Sequence, residues 1–254
     1  MIHSSALVSP RAQLGNNVSI GAYSSIEAGV RIDDNTRIGN FNTICSGTTI
    51  GSQCRIYHNC SIGETPQDMK YAGEKTKTQI GNNVIIRESV TINKGTAAYG
   101  LTKIGDDVLL MTGVHIAHDC IVGNNSILAN LTTLGGHVTL GDWVSLGGGT
   151  LVHQFSKVGD HAFVGGGYRI VKDIPPFILA AGEPLRFGGI NKVGLSRRGF
   201  SNETRTLIKK VYKIFFMGKD TRSQNLKKIK ESITITAEVK KIIDFIDSSD
   251  RGLI

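Results

Sequence analysis

An aliphatic residue recurs at almost every sixth position from Val8 to Ile170, and no other feature of the chain restricts its fold so strongly. Of the 28 positions in this register, 25 are Ile, Leu or Val. A period of six matches neither the 3.6 of an amphipathic helix nor the alternation of a half-buried strand. It suits a short strand followed by a turn, repeated so that one aliphatic side chain per unit points inward. Gly or Asn commonly follows the aliphatic residue, as in "IGNNV", "IGDDV" and "VGNNS", and these residues tolerate the positive φ of tight corners. The three exceptions, Asp68, Glu74 and Ala98, fall in polar, glycine-containing stretches. They predict two excursions from the repeat, about residues 64–79 and 94–103, on a scaffold rigid enough to display binding groups.

Over residues 8–170 this pattern resembles the hexapeptide-repeat family, whose chains wind three hexads into each coil. The resemblance implies an all-β left-handed parallel β-helix, against the usual right-handed crossover rule. Coils then stack at about 4.8 Å, and neither end of the stack can bury itself alone. The helix is expected to end near "DIPPFI", because Pro175 and Pro176 cannot donate to a further coil. The domain organisation read from this is residues 1–185 as β-helix and 186–254 as a helical domain. In the latter, Ser201 reads as an N-cap, and Leu207, Ile208, Val211, Ile214 and Phe215 follow at helical spacing. Val239, Ile242, Ile243 and Ile246 repeat the pattern, and such stripes suit internal packing better than a cofactor site.

Charge divides the chain in the same place. Residues 186–254 hold 16 Lys and Arg against 7 Asp and Glu, whereas residues 1–185 hold 13 against 14. The basic tail points to an acidic partner or to a solvated helical surface. No run approaches the roughly 20 apolar residues that span a bilayer, and "MIHSSALVSP" lacks the blocks of a secretory signal, so a cytoplasmic protein is expected. Cys45, Cys54, Cys60 and Cys120 form no CxxC pair, which predicts buried reduced thiols rather than a zinc or disulfide framework.

The chemistry concentrates in "HIAHDC", residues 115–120, in a chain with seven histidines. Residues 18 apart lie above one another on a three-hexad coil, so His118 should sit beneath Gly136 and then Gln154, with His137 and His153 adjoining. Three histidines and a glycine backbone then share one corner over roughly 10 Å of rise. Two chemistries compete for such a strip. A zinc hydrase would use three neutral imidazoles and a metal-bound hydroxide. An acyltransferase would use one imidazole as general base, with Asp119 orienting it and the Gly136 N–H at the developing oxyanion. The glycine and the basic tail favour the second.

"SIGETPQDMKYAGE", "RESVTINKGT", "HIAHDC", "LGGHVTLGDW", "VHQF" and "INKVGLSRRGF" occur here in the order and spacing of the UDP-N-acetylglucosamine O-acyltransferases of lipid A biosynthesis. The similarity runs to the closing "RGLI". It implies transfer of an (R)-3-hydroxyacyl group from acyl carrier protein to the sugar 3-hydroxyl of UDP-N-acetylglucosamine, in a homotrimer with sites between subunits. Carried over, it makes His118 the base, Asp119 its support and Gly136 the oxyanion donor. Asp68 and Lys70 would contact the acyl 3-hydroxyl and the sugar or phosphates. His115, His137, His153 and Gln154 would line the sugar and acyl path, and Asn191, Arg197 and Arg198 would hold the nucleotide.

No cofactor, metal or nucleic acid is implied. Gly166, in "VGGGYRI", is a place where a small residue would leave an acyl channel open. Two positions depart from the pattern: Val193 where many members have Glu, and Asn93 where many have His. Acylation of a 3-amino sugar on the same scaffold is the alternative activity. The related lipid A N-acyltransferase carries an extra N-terminal domain, for which a repeat beginning at Val8 is expected to leave no room.

Overall fold

The computed structural model describes residues 1–217 and 220–254. Among them, 27 strands, most only two residues long, pass in turn through three sheets of nine, eight and ten strands. Each strand pairs in parallel with the one a coil away: Leu7 with Ser25, Gln13 with Arg31, Ser19 with Arg37. The chain is a left-handed parallel β-helix with a small C-terminal helical region.

Every aliphatic of the hexad register from Ile20 to Ile170 is buried, while Val8 and Leu14 at the N-terminal edge are partly covered. Burial of each such side chain is worth about 1.5–3 kcal/mol, so the register is also the main source of cohesion. Polar residues that enter the prism just before a strand satisfy themselves on the corner carbonyl fifteen residues on. Ser24 donates to Gly39 O, Thr36 to Gly51 O and Ser126 to Gly141 O. Cys120 does the same, its Sγ 3.1 Å from Gly135 O. Burial pushes the Cys45 and Cys120 thiols up to about 12 and Cys60 up to about 11. All four cysteines are free and buried, so they serve as small packing residues rather than nucleophiles.

The two excursions lie between strands Ser61–Glu64 and Lys77–Ile80 and between Thr91–Asn93 and Leu101–Ile104. Ile50 pairs with Ile80 and Ile62 with Ile92, thirty residues apart instead of eighteen, so the first excursion inserts twelve. Ile80 pairs with Ile104 and Ile92 with Ile116 at a separation of twenty-four, so the second inserts six. Both are whole hexads, which is why the register resumes in phase.

The prolines do not end the sheet. Pro175 and Pro176 occupy the turn between Ile174 and strand Ile178–Ala181, which still pairs in parallel with Phe163–Val164. Only then does Arg186–Ile190 turn back antiparallel to close the edge. A turn asks no ladder donor of a proline, and Phe177 N–H bonds Asp160 O at 2.8 Å to restart the coil.

Among the described residues four helices follow: α1 Lys192–Arg197, α2 Asn202–Met217, α3 Arg222–Ser232 and α4 Ala237–Asp247. The Ser201 hydroxyl accepts the Thr204 N–H at 3.1 Å at the start of α2. Ile208, Val211 and Tyr212 of α2 and Val239, Ile242, Ile243 and Ile246 of α4 are buried. Tyr212 fastens α2 to the helix end through a 2.6 Å bond to Pro176 O. Buried Asp173 accepts from Lys157 N and from the Ser249 hydroxyl, tying the C-terminal segment to the last coils. Among the described residues, no helix is long and apolar enough to cross a membrane.

Candidate active site

Strand Thr133–Leu134 pairs with His115–Ile116 on one side and Leu151–Val152 on the other, so the corners that follow them stack. His118, Gly136 and Gln154 occupy one position of that corner. Asp119, His137 and Phe155 occupy the next, all with φ between 58° and 64°. Left-handed backbone is costly for side chains other than Gly, Asn and Asp, yet the sheets on either side fix each corner. The sequence expectation of Gly and Asn at such corners is therefore only partly met, and Trp143, His161 and Phe177 adopt it too.

Asp119 is buried, and its carboxylate collects three donors. Thr96 N–H meets Oδ1 at 3.0 Å, the Thr96 hydroxyl meets Oδ2 at 2.6 Å, and His118 Nδ1 lies 2.9 Å from Oδ2. A buried carboxylate can only accept here, which places the proton on Nδ1 and leaves the Nε2 lone pair of His118 free. His118 has only 13% of its side chain exposed, and its ring lies against Gly136: a Cβ added there would fall 2.6 Å from Cε1 and 2.7 Å from Nε2.

The Gly136 N–H has no acceptor among the described residues, unlike its counterparts on the next corner. There, turn N–H groups are taken by the Asp or Asn one coil on, as Asn124 N by Asp142 Oδ1 at 2.7 Å and Asp106 N by Asn124 Oδ1 at 2.8 Å. Gln154, in the equivalent place above Gly136, is exposed and makes no such bond. One imidazole lone pair and one backbone donor thus stand free side by side.

His137 meets His118 edge-on at 5.0 Å and stacks flat on Phe155 at 4.4 Å. Burial lowers its pKa, opposed by the carboxylates of Asp119 and Asp68. Asp68 belongs to the first excursion. Asp68 Oδ1 accepts the Lys70 N–H at 3.0 Å, and Lys70 itself is exposed. His115 stands on the strand before the corner, its Nδ1 2.7 Å from Thr91 Oγ1, and burial lowers its pKa. His153 is exposed and turned to its neighbour Gln154 O at 3.0 Å. It lines a shallow cleft with Gly136, Gln154 and Arg169.

Asn191, Arg197 and Arg198 lie on a different corner. Asn191 caps α1, accepting Gly194 N and donating to His161 O at 2.9 Å, so its side chain is committed to the scaffold. The Arg198 guanidinium lies 4.9 Å over Trp143 and 3.2 Å from His161 Nδ1. Burial and that arginine push His161 down to about 4, leaving a neutral ring that accepts. Arg197 and Val193 are exposed. Asn93 is buried, donating to Thr65 O at 2.9 Å at the root of the first excursion. Gly166 belongs to the third corner, where a Cβ would come 2.9 Å from Gly148 O; stacking of the coils alone calls for glycine there.

The hexad register singles out neither Thr96 nor Tyr99. Both ride on the second excursion, Thr96 on Asp119 and Tyr99 edge-on to His137 at 5.3 Å. Among the described residues, those able to hold a metal are His118, Asp119 and His137, whose ligand atoms lie within 4.8 Å of one another. In this structure the shared carboxylate is engaged by Thr96 and His118 instead. A groove of about 680 Å³ lies elsewhere, beneath α2, where Lys192, Arg205, Lys209 and Lys213 surround Phe187 and Met217.

Residues 11–46 and 101–136 match the bacterial transferase hexapeptide repeat, and residues 173–254 match the family described as UDP-N-acetylglucosamine O-acyltransferase, domain 2. The chain is 45% identical over 254 residues to the acyl-[acyl-carrier-protein]–UDP-N-acetylglucosamine O-acyltransferase of Thiobacillus denitrificans, covering all of this chain and 98% of that one. A UDP-N-acetylglucosamine acyltransferase from Bacteroides fragilis superposes with a TM-score of 0.99 at 42% identity, over 100% of both chains. The Campylobacter jejuni enzyme gives 0.94 at 40%, over 100% of this chain and 98% of that one. The chain belongs to the acyl-[acyl-carrier-protein]–UDP-N-acetylglucosamine O-acyltransferase family.

Proposed function

We propose that this protein moves an (R)-3-hydroxyacyl group from acyl carrier protein to the 3-hydroxyl of UDP-N-acetylglucosamine, the opening step of lipid A biosynthesis, in the cytoplasm. The observation that carries the reading is the free Nε2 of His118 beside the free N–H of Gly136. Nε2 takes the proton of the sugar hydroxyl as its oxygen attacks the thioester carbonyl. The Gly136 N–H meets the oxyanion that develops there. As the intermediate collapses the carbon–sulfur bond breaks, and the imidazolium returns the proton to the departing carrier thiolate. Asp119 holds the ring's tautomer throughout.

In this reading Asp68 and Lys70 take the acyl 3-hydroxyl and the sugar or phosphates, His115, His137, His153 and Gln154 line the path, and Arg197 and Arg198 receive the nucleotide at the end of α1, a helix whose start Asn191 holds in place. The last three and His118 stand on different corners of one chain. A substrate lying across a boundary between copies would touch both corners, and this reading therefore takes the protein as a homotrimer with sites between subunits. Exposed Ile121, Ile127, Leu151 and Phe163 on the outer sheet faces are the apolar surface such an assembly would cover.

The test is mass-spectrometric detection of acyl transfer from carrier protein to UDP-N-acetylglucosamine, beside its 3-amino analogue, with a metal chelator present. Full transfer to the hydroxyl sugar is expected. Product on the amino sugar alone would move the assignment to N-acyl transfer, and loss of activity in chelator would reopen the metal reading.

Acyl carrier protein is the acidic partner that the groove beneath α2 suits. Lys209→Glu and Lys213→Glu are expected to raise KM for the carrier by about three- to tenfold with little change for the sugar nucleotide. KM for the carrier in the unaltered enzyme should rise with salt, and the variants should lose that dependence. Equal effects on both substrates would rule this docking face out.

A further inference from the structure

We propose that Thr96 is a positioning residue for the acyl transfer, and that the six-residue second excursion serves to deliver it to Asp119. The inference rests on the reading of His118 as base. Two of the three donors to the Asp119 carboxylate come from this one residue, its N–H to Oδ1 and its hydroxyl to Oδ2. Donors on both oxygens fix the plane of the carboxylate. That plane sets the direction in which Oδ2 meets His118 Nδ1, and so where Nε2 points.

The grip is itself fixed from behind. Ala98 N–H donates to Thr96 Oγ1 at 3.2 Å, which leaves the hydroxyl proton to Asp119. Gly100 N–H bonds Thr96 O at 2.7 Å, closing the loop on itself. A Cβ at Gly95 would come within 2.2 Å of Leu101 N, so the loop crosses at its root as tightly as backbone allows. The branched Cβ of threonine narrows its χ1 choice further. A plain 18-residue coil contains no segment that could reach Asp119 in this way; the inserted hexad supplies one.

Thr96→Val keeps size and branching and removes the O–H. Its kcat is expected to fall about 10- to 100-fold with KM for both substrates within about twofold, the signature of a misdirected rather than a missing group. Thr96→Ser restores the hydroxyl and should recover most of the rate. Because Thr96 acts through Asp119, the loss should nearly vanish when Thr96→Val is made in the Asp119→Asn enzyme.

Equal losses in both backgrounds, KM rising in step with the fall in kcat, or no recovery with serine would overturn the proposal. Thr96→Ala, which retains the N–H bond, supplies the same readouts should the valine variant not fold. The two readings separate cleanly. A folded, active His118→Ala enzyme defeats the base assignment, whereas an inactive His118→Ala beside a fully active Thr96→Val defeats only the role of Thr96.

Discussion

His118→Ala is expected to fold, keep its oligomer size and lose about 10² to 10⁴ in kcat while binding its substrates nearly as before. A sugar hydroxyl is a poor nucleophile near neutral pH, and no other imidazole in the strip can replace the base. His137 is stacked on Phe155 and tilted edge-on to His118, and His115 stands on the preceding strand with its Nδ1 on Thr91. Folding should survive because the buried Asp119 retains both Thr96 donors after the imidazole is gone. His115→Ala should cost less, since its contact lies outside the dyad. Asp119→Asn should fall between the two, because an amide can still meet Nδ1 yet supports the imidazolium less. The measurement is kcat for the three variants with circular dichroism and oligomer size in parallel. A near-normal rate for folded His118→Ala would sink the mechanism.

The coil was legible because a six-residue period leaves each aliphatic in one fixed place, and those side chains are the ones found buried. Adding 18 to His118 therefore locates Gly136 and Gln154 above it. What the period could not give were contacts made outside it. Thr96 reaches Asp119 from an insertion whose path depends on the close crossing at Gly95. Tyr99 meets His137 from the same loop. Arg198 shows the converse: its residue type suits phosphate, and the fold lays it over Trp143 and against a neutral His161. Helix α3 is not marked by hydrophobic spacing because Leu226 and Ile229 are its only apolar residues, too few to form a stripe. Capping by Thr221 and Gln224 gives it a start that hydrophobic spacing alone does not.

Gly136→Ala is the second change expected to cut turnover by orders of magnitude, and its cause is steric rather than conformational. Gly136 is absent from the glycines with positive φ, so alanine meets no backbone penalty there. The first atoms its Cβ encounters, Cε1 and Nε2 at 2.6 and 2.7 Å, belong to the imidazole of His118. Either the ring swings away from Asp119 or the corner opens around it. The ring is the softer of the two, because the corner is held by strand pairs above and below. A displacement near 1 Å at a reacting group is worth about 10² in rate, so kcat should fall at least that far with the thermal midpoint almost unchanged. Gly123 provides the contrast: a Cβ there would strike the Gly141 backbone at 2.4 Å, with no side chain free to yield. Gly123→Ala should accordingly lower the thermal midpoint and leave the rate per folded enzyme intact. Thermal melts and kcat for the two alanine variants decide the matter. If Gly136→Ala melts early like Gly123→Ala, or retains turnover, that glycine is there for the coil and not for the histidine beneath it.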